Sequence, residues 1–277
     1  MSKADIAETS VYNASYFDGP LAEWHRLSFS TFSAFLHEVG GAKRLHSVLD
    51  LGCGIGTYGP VLRTLGDTLI GCEGDTMAVT RAQSSGRYDR VFAVDLETVA
   101  SEQLGGPYDL IFCSEVMEHL YDIRHFCRMI AEALAPNGLL VLTTTTYHFY
   151  LFYYAFCAVP RQREAYRDFL RGCCNDEAAS RFVRTLWLLT GGHYHGFRAR
   201  RLLAHLREAG LTVDQWRYAN VQPVFPVVAL AEERFHVGLF RLFTPLLRHA
   251  GTILNACCRW TNLYGANILV AAHRKTT

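Results

Sequence analysis

Short apolar runs separated by segments of helical periodicity dominate residues 46–145. The runs have the length of buried strands, and the segments between them repeat apolar positions every three or four residues. This alternation predicts a parallel sheet joined by right-handed helical crossovers. The helix before the fifth strand is expected to end at Ala135–Gly138, where a glycine closely follows a proline. The predicted strands are Val48–Leu51, Asp67–Glu73, Arg90–Leu96, Tyr108–Cys113 and Gly138–Thr145.

The same patterns extend the core beyond this section of the chain. A helix is predicted at Phe197–Gly210, a strand at Leu211–Tyr218 and a last strand at Gly265–His273. We expect one domain, 1–277, with a helical N-terminal cap at 1–45 and a core at 46–145 that 197–220 and 264–277 complete. Two helical insertions are expected, an aromatic segment at 146–196 and a hydrophobic segment at 221–263.

A glycine loop follows the first predicted strand. Three alternate glycines, Gly52, Gly54 and Gly56, let the backbone turn tightly and approach a ligand closely. The loop also fits Gly-x-Gly-x-x-Gly, the fingerprint of a dinucleotide site. Asp50 argues against that reading, because an anion at the strand end repels a pyrophosphate but suits a cofactor with positive groups. Two cofactor classes therefore compete at this loop.

The segment Val48–Gly56 resembles motif I of the class I S-adenosylmethionine (SAM) methyltransferases, Asp-Leu-Gly-Cys-Gly-x-Gly. Glu115–Leu120 is similar to the Glu-Val-x-Glu-His-Leu segment of that family. The resemblance implies an α/β fold, a doubly wound, seven-stranded Rossmann-like sheet whose last strand is antiparallel. It also implies SAM as cofactor, with S-adenosylhomocysteine as product, and no metal is expected.

The resemblance assigns cofactor roles to residues at the strand ends. Glu73 is expected to accept both ribose hydroxyls, Asp95 to receive the adenine amino group and Leu96 to pack on the ring. Tyr16 in the cap could close over the cofactor or simply pack on the core. The expected cofactor residues are Asp50, Gly52, Gly54, Gly56, Glu73, Asp95, Leu96, Ser114, Glu115 and Tyr16.

An aromatic segment follows the fifth strand, where open α/β sheets bind ligands. Seven of the ten residues of Tyr147–Phe156 are Phe or Tyr. We interpret this segment as an apolar wall for a hydrophobic substrate. A helix packed in the core is the alternative. The expected substrate-binding residues are Tyr147, His148, Tyr150 and Phe152.

Histidines near the expected methyl position are the candidate bases, because the unperturbed pKa of histidine is near neutrality. His193 and His195 precede the helix after the insertion, and His119 follows the fourth strand. We rank His195 and His193 first and His119 second. Anchoring of loops by hydrogen bonds is the alternative role.

Composition narrows the class of protein. A formal net charge of +1 and no basic stripe disfavour nucleic acid as a partner. Nine cysteines without a Cys-x-x-Cys pair, and no apolar signal core at the N-terminus, favour a cytoplasmic enzyme. Arginines spaced through the apolar segment 236–258 suggest peripheral membrane contact, a homodimer contact or a lid, and argue against a membrane span.

Together these patterns predict a SAM-dependent methyltransferase acting on a small, fairly hydrophobic molecule, at oxygen in preference to carbon, nitrogen or carboxylate. An NAD-dependent oxidoreductase is one alternative. A non-catalytic partner protein with a methyltransferase fold is the other.

Overall fold

The structure is a computed structural model. It describes residues 21–41, 44–156, 167, 193–220, 253, 256–257 and 261–275, with only the helical backbone at 21–27 and 152–156. The expectations for Tyr16, for the side chain of Phe152 and for most of 146–196 and 221–263 therefore lie outside the described residues. Within the described part, no helix has the length and apolar character needed to cross a membrane.

The described residues form a seven-stranded sheet in the order β3-β2-β1-β4-β5-β7-β6. Strands β1 to β5 are mutually parallel, whereas β7 runs antiparallel between β5 and β6. The predicted doubly wound sheet with an antiparallel last strand is confirmed. The strands are β1 (Leu45–Leu51), β2 (Gly66–Glu73), β3 (Arg90–Ala93), β4 (Tyr108–Ser114), β5 (Leu134–Thr145), β6 (Leu211–Ala219) and β7 (Asn267–Arg274).

The described residues include six α-helices. They are α1 (Leu21–Gly40), α2 (Gly59–Leu65), α3 (Thr76–Ser84), α4 (Ile123–Ala133), α5 (Tyr147–Phe156) and α6 (Ala199–Glu208). Alternate strand residues face opposite sides, so that Leu110 and Phe112 join one buried cluster while Ile111 joins the other. Helices α1 to α3 contribute to the first cluster, and α4 and α6 to the second. Both faces of the sheet are therefore buried, as a parallel sheet requires.

Two predicted boundaries were wrong. Helix α4 ends at Ala133 rather than at Ala135–Gly138, and β5 begins at Leu134. The physical reason is Pro136, because a proline disfavours helical geometry in the residue before it and supplies no N–H. Strand β3 ends at Ala93, so Asp95 and Leu96 lie in the loop beyond it.

Helix α3 begins with an N-cap that positions the start of the helix directly after β2. The Asp75 carboxylate accepts hydrogen bonds from the backbone N–H groups of Met77 at 2.7 Å and Ala78 at 3.1 Å. These two donors have no partner within the helix, so the cap satisfies them.

We expect Asp75→Ala to lower the free energy of unfolding by about 1 kcal/mol, because it removes this cap. Asp75→Asn keeps a side-chain oxygen and should remain close to the wild type. Urea denaturation of the three proteins measures the difference, and equal losses in both variants would contradict the capping role.

Candidate active site

The carboxyl ends of β1, β2 and β4 meet at one edge of the sheet. Leu51 in β1 pairs with Cys72 in β2 on one side and with Cys113 in β4 on the other. The segments that leave these three strands are therefore neighbours. They carry the glycine loop, Glu73 and Glu115.

The glycine loop is held against β2 by its backbone. The N–H groups of Gly52 and Cys53 both donate to the Cys72 carbonyl at 2.9 Å. Gly52, Gly54 and Gly56 have φ angles of +76°, +54° and +85°, a region that favours glycine. A Cβ on Gly52 would also lie 2.3 Å from a Val116 methyl carbon. Gly52 is thus required by both its backbone conformation and its close contact.

Glu73 at the end of β2 is bonded to the glycine loop. Its Oε2 accepts from the Gly54 N–H at 2.9 Å, and its Oε1 accepts from the N–H groups of Gly74 and Asp75 at 2.7 and 3.0 Å. A carboxylate offers about four acceptor positions, so it retains capacity for a ligand hydroxyl.

Asp50 is buried and hydrogen-bonded to Tyr88, a residue that is not among the predicted site residues. The Tyr88 hydroxyl donates to Asp50 Oδ2 at 2.6 Å. Burial raises the pKa of Asp50 to about 7; the Tyr88 hydrogen bond opposes this shift, and the Glu73 charge adds to it. The Tyr88 ring packs against the backbone of two glycines, since a Cβ on Gly56 would lie 2.9 Å from it and a Cβ on Gly71 would lie 3.1 Å from it. Only the fold brings Tyr88 to this strand end.

The remaining described cofactor candidates surround the same edge. Asp95 accepts a hydrogen bond from the Glu97 N–H at 3.0 Å, and Leu96 beside it is buried. The hydroxyls of Ser114 and Thr143 are 2.9 Å apart, which ties the end of β4 to β5. The structure thus brings the described cofactor candidates to one edge of the sheet.

Two acidic side chains after β4 turn toward β5. Glu115 accepts from the hydroxyls of Thr143 and Thr145, each at 3.1 Å, and from the Asn267 amide at 2.8 Å. Glu118 is fully buried and accepts from Thr144 at 2.7 Å. Its other oxygen lies 3.1 Å from the Thr145 hydroxyl, whose single proton is shared between Glu115 and Glu118. Burial, followed by the Glu118 charge, raises the pKa of Glu115 well above its usual value.

The histidine loop, residues 193–197, is docked on the Glu118 backbone. The Glu118 carbonyl accepts from the N–H groups of Tyr194 at 2.7 Å and His195 at 3.3 Å. The ring centroids of His119 and His193 are consequently 4.6 Å apart, in an edge-on arrangement. Burial, with a smaller contribution from His119, lowers the pKa of His193 well below its usual value.

The other histidine candidates have different surroundings. His195 stacks on Phe197 with ring centroids 5.4 Å apart. His148 stacks on Tyr264 and meets Tyr218 edge-on, both at 4.9 Å. The structure therefore pairs His119 with His193 and places His148 in an aromatic group of its own.

Two residues of the aromatic segment have different surroundings. Tyr150 is fully buried, and its hydroxyl is hydrogen-bonded to His193 Nδ1. Tyr147 carries the Arg198 guanidinium 4.3 Å from its ring centroid. Tyr150 thus has the packing role that the sequence left open as the alternative.

Glu118, His119 and His193 form a set that could hold a metal ion. Each offers one ligand atom, and these atoms lie within 4.8 Å of one another. Ligand atoms around a shared ion at about 2.1 Å lie about 3 to 4 Å apart, so the set needs only a small closure. No metal was expected from the sequence, and the structure alone brings these three residues together.

Two features of the sequence indicate the polar cluster that Glu115 and Glu118 form with the threonines of β5. The run Thr143–Thr146 ends a buried strand, where four hydroxyls imply polar partners. The second signal is Glu118, an acid directly before His119 in the segment that resembles Glu-Val-x-Glu-His-Leu.

Gly52→Ala should abolish ligand binding at the loop and lower stability by more than 1 kcal/mol, because it adds both a clash and a strained φ. Gly86→Ala is the matched control, since Gly86 has φ +66° but nothing within 4 Å of a Cβ. Calorimetric ligand titration and urea denaturation measure both effects. Equal losses of affinity and of unfolding free energy in the two variants would contradict the role of the close contact with Val116, because both glycines have a positive φ angle.

Asp50 makes stability depend on pH. Its folded-state pKa of about 7 exceeds the unfolded value near 3.8, so its stabilising contribution is present at acid pH and lost as pH rises through 7. Relative to Asp50→Asn, the wild type should lose about 3 kcal/mol of unfolding free energy between pH 5 and pH 8. Urea denaturation across this range is the measurement, and parallel pH profiles would refute the shift.

Proteins of known family are similar to this chain over its core. The family described as "Methyltransferase domain" matches residues 24–215. The ubiquinone biosynthesis O-methyltransferase of Schizosaccharomyces pombe (mitochondrial) is 33% identical over 122 residues, 42% of this chain and 44% of the relative. The Caulobacter sp. enzyme of that name is 29% identical over 157 residues, 51% of this chain and 62% of the relative. The chain thus spans about half the length of these relatives.

Solved structures share the fold. A SAM-dependent methyltransferase from Mesorhizobium loti superposes with a TM-score of 0.55 at 18% identity, covering 90% of this chain and 98% of the other. The N-methyltransferase NodS from Bradyrhizobium japonicum, solved with S-adenosylhomocysteine, also gives 0.55 at 16% identity, covering 99% and 98%. The resemblance read from the glycine loop is confirmed, and the chain belongs to the methyltransferase domain family.

Proposed function

We propose that this chain is a SAM-dependent methyltransferase that methylates an oxygen of a small, fairly hydrophobic acceptor. The observation that carries the proposal is the edge of the sheet at which Glu73 binds the glycine loop after Asp50, with Asp95 in the loop that follows the neighbouring strand β3. A cofactor with an ammonium, a sulfonium and ribose hydroxyls suits such a set of carboxyl groups. A pyrophosphate would be repelled by it, which disfavours the NAD alternative.

The roles of individual residues follow from this placement. Glu73 would accept the ribose hydroxyls, because its carboxylate lies against the loop and keeps an acceptor position beyond the three backbone N–H groups that it already binds. Asp95 and Leu96 would hold the adenine. Asp50 and the three glycines would line the methionine part, with Ser114 and Glu115 as further neighbours of the cofactor. Tyr16 lies outside the described residues, and its role at the cofactor is proposed from the resemblance alone.

A phenolic acceptor is supported by the relatives and by the aromatic segment. The relatives carry the name ubiquinone biosynthesis O-methyltransferase. Tyr147, His148 and Phe152 follow β5, at the carboxyl edge where a substrate would face the methyl group. Carbon, nitrogen and carboxylate acceptors are the less favoured alternatives.

The chemistry is an in-line displacement. The acceptor oxygen forms a bond to the methyl carbon, the carbon–sulfur bond breaks, and its electron pair stays on the sulfur of S-adenosylhomocysteine. The hydroxyl proton must also leave, and we assign its handling to the histidines around Glu118, namely His119, His193 and His195. The protein's main contributions are alignment of the two reactants and exclusion of water.

Glu73→Gln tests the cofactor site, because the amide keeps the size of the side chain but loses its charge and one acceptor. We expect SAM affinity to fall about 10- to 100-fold, as for loss of a hydrogen bond to a charged group. Asp67→Asn is the matched control at the other end of β2, where Asp67 pairs with Arg44. Isothermal calorimetry with SAM, S-adenosylhomocysteine and NAD measures the affinities.

Binding of NAD without SAM would overturn the proposal. A second assay follows transfer of labelled methyl groups to catechols and hydroquinones that carry apolar tails. Tight SAM binding without transfer to any acceptor would favour the non-catalytic partner protein instead.

A further inference from the structure

Tyr88 is a buried residue whose hydroxyl reaches the strand end next to the glycine loop. It lies in the segment between α3 and β3, and its hydroxyl donates to Asp50 Oδ2 at 2.6 Å. Tyr88 is 5% exposed and Asp50 is 2% exposed. A phenol has a single proton to donate, and here that proton is committed to one oxygen of a buried carboxyl.

The two oxygens of the Asp50 carboxyl have different surroundings. Oδ2 is bonded to Tyr88, whereas Oδ1 forms no hydrogen bond within the described part of the chain. A carboxylate oxygen that is withdrawn from water needs a donor, because the loss of hydration is otherwise not compensated. The bond at Oδ2 fixes the rotation of the carboxyl and therefore the position of Oδ1. Oδ1 is the atom of Asp50 that is left for a ligand.

The ring of Tyr88 is held in place by the glycine loop and by β2. It packs so closely on the backbone that a Cβ on Gly56 would lie 2.9 Å from it and a Cβ on Gly71 3.1 Å from it. The neighbouring Arg87 donates from Nη1 to the Gly56 carbonyl at 3.0 Å, and Arg63 donates from Nη2 to the Arg87 carbonyl at 2.9 Å. The segment that carries Tyr88 is thus tied to the glycine loop, and the hydroxyl is directed at Asp50.

We propose that Tyr88 is a positioning residue that holds the Asp50 carboxylate with Oδ1 toward the ammonium group of the methionine part of SAM. The inference rests on the proposed function, in which Asp50 lines that part of the cofactor. A hydrogen-bond donor favours the charged form of a carboxyl, so Tyr88 also supports ionised Asp50 in its buried position. The ammonium group then meets an anion, which binds it more strongly than a neutral acid does.

The groups around Asp50 oppose its ionisation. Burial raises the pKa of Asp50 to about 7, the Tyr88 hydrogen bond opposes this shift, and the Glu73 charge adds to it. Burial also raises the pKa of Tyr88, so its hydroxyl remains a donor near neutral pH. Three thiols that interact with the same carboxyl stay neutral because burial raises their pKa values, those of Cys53, Cys72 and Cys113. Asp50 is therefore the member of this group that titrates near neutral pH.

The pH dependence of S-adenosylhomocysteine binding tests the proposal, because this ligand keeps the ammonium group and lacks the reactive sulfonium. Methylthioadenosine shares the adenosine and the thioether but has no amino-acid end. The ratio of the two affinities therefore isolates the contribution of that end. In the full chain the affinity ratio should rise as pH increases through about 7 and Asp50 becomes ionised. Isothermal calorimetry from about pH 6 to about pH 8.5 measures it, and titration of the ligand itself cancels when variants are compared.

Tyr88→Phe keeps the buried ring and removes the hydroxyl. It should lower the affinity ratio about 5- to 10-fold at pH 7 and move its rise about one pH unit higher, because the charged form of Asp50 loses its donor.

Tyr108→Phe is the matched control. Tyr108 is 2% exposed, and its hydroxyl donates to the Leu104 carbonyl at 2.6 Å, at the end of β4 away from the cofactor edge. Its substitution should leave the affinity ratio within about twofold of the wild type at every pH. A role of Tyr88 in packing alone would lower the melting temperature in both variants and leave both pH profiles unchanged, and that result would overturn the proposal.

Asp50→Asn is a second test, since an asparagine side chain does not titrate. The rise of the affinity ratio near pH 7 should disappear, and adding Tyr88→Phe to this variant should change the ratio by less than about twofold. A rise that persists in Asp50→Asn would overturn the proposal even if Tyr88→Phe did not fold. An effect of Tyr88→Phe that persists without the carboxylate would exclude action through Asp50.

The wild-type chain separates failure of this inference from failure of the proposed function. Absence of S-adenosylhomocysteine binding at every pH would refute the methyltransferase proposal and this inference with it. Binding that Tyr88→Phe and Tyr108→Phe leave equally unchanged would refute the role of Tyr88 alone.

Discussion

Burial of the Glu118 carboxyl is the constraint around which the substrate side of this protein is arranged. A carboxyl without solvent contact must find hydrogen-bond donors, and here they are the threonine hydroxyls at the end of β5. The same residue uses its carbonyl to hold the histidine loop. Three segments that are distant in the chain are thereby joined at the exit of β4, next to the edge where the cofactor site is proposed. Loss of this carboxyl would remove the acceptor of the Thr144 hydroxyl and weaken the link to β5, whereas the backbone carbonyl that holds the histidine loop would remain.

The cofactor side follows a different principle, since backbone groups rather than side chains determine its shape. Gly52 and Cys53 share one carbonyl of β2, and Glu73 collects three N–H groups from the loop and from the start of α3. Tyr88 then closes the buried side of the loop through Asp50. A preformed, anionic edge of this kind needs little rearrangement to accept a cationic ligand, which keeps the entropic cost of binding low.

Much of this site could be predicted because its signals are local. The glycines report positive φ angles directly, and each acid stands at the end of an apolar run. The predicted end of α4 was wrong. The glycine after Pro136 suggested a helix stop, but the proline already disfavours helical geometry in the residue before it. The role of Tyr88 at Asp50 was not predicted, for a different reason. It has no local signature, and its partner Asp50 lies 38 residues earlier in the chain.

The amino-acid sequence by itself determined the order of strands and helices, the glycine loop and the acids that flank it, because periodicity and backbone preference act over a few residues. Tertiary structure alone decided which of the candidate histidines meet. His119 and His193 are far apart in the chain and are brought to one point by the hydrogen bonds of the Glu118 carbonyl. It also decided that Tyr150 faces inward to His193 rather than outward. Such contacts depend on how the loop docks onto the sheet, and sequence periodicity carries no information about that docking.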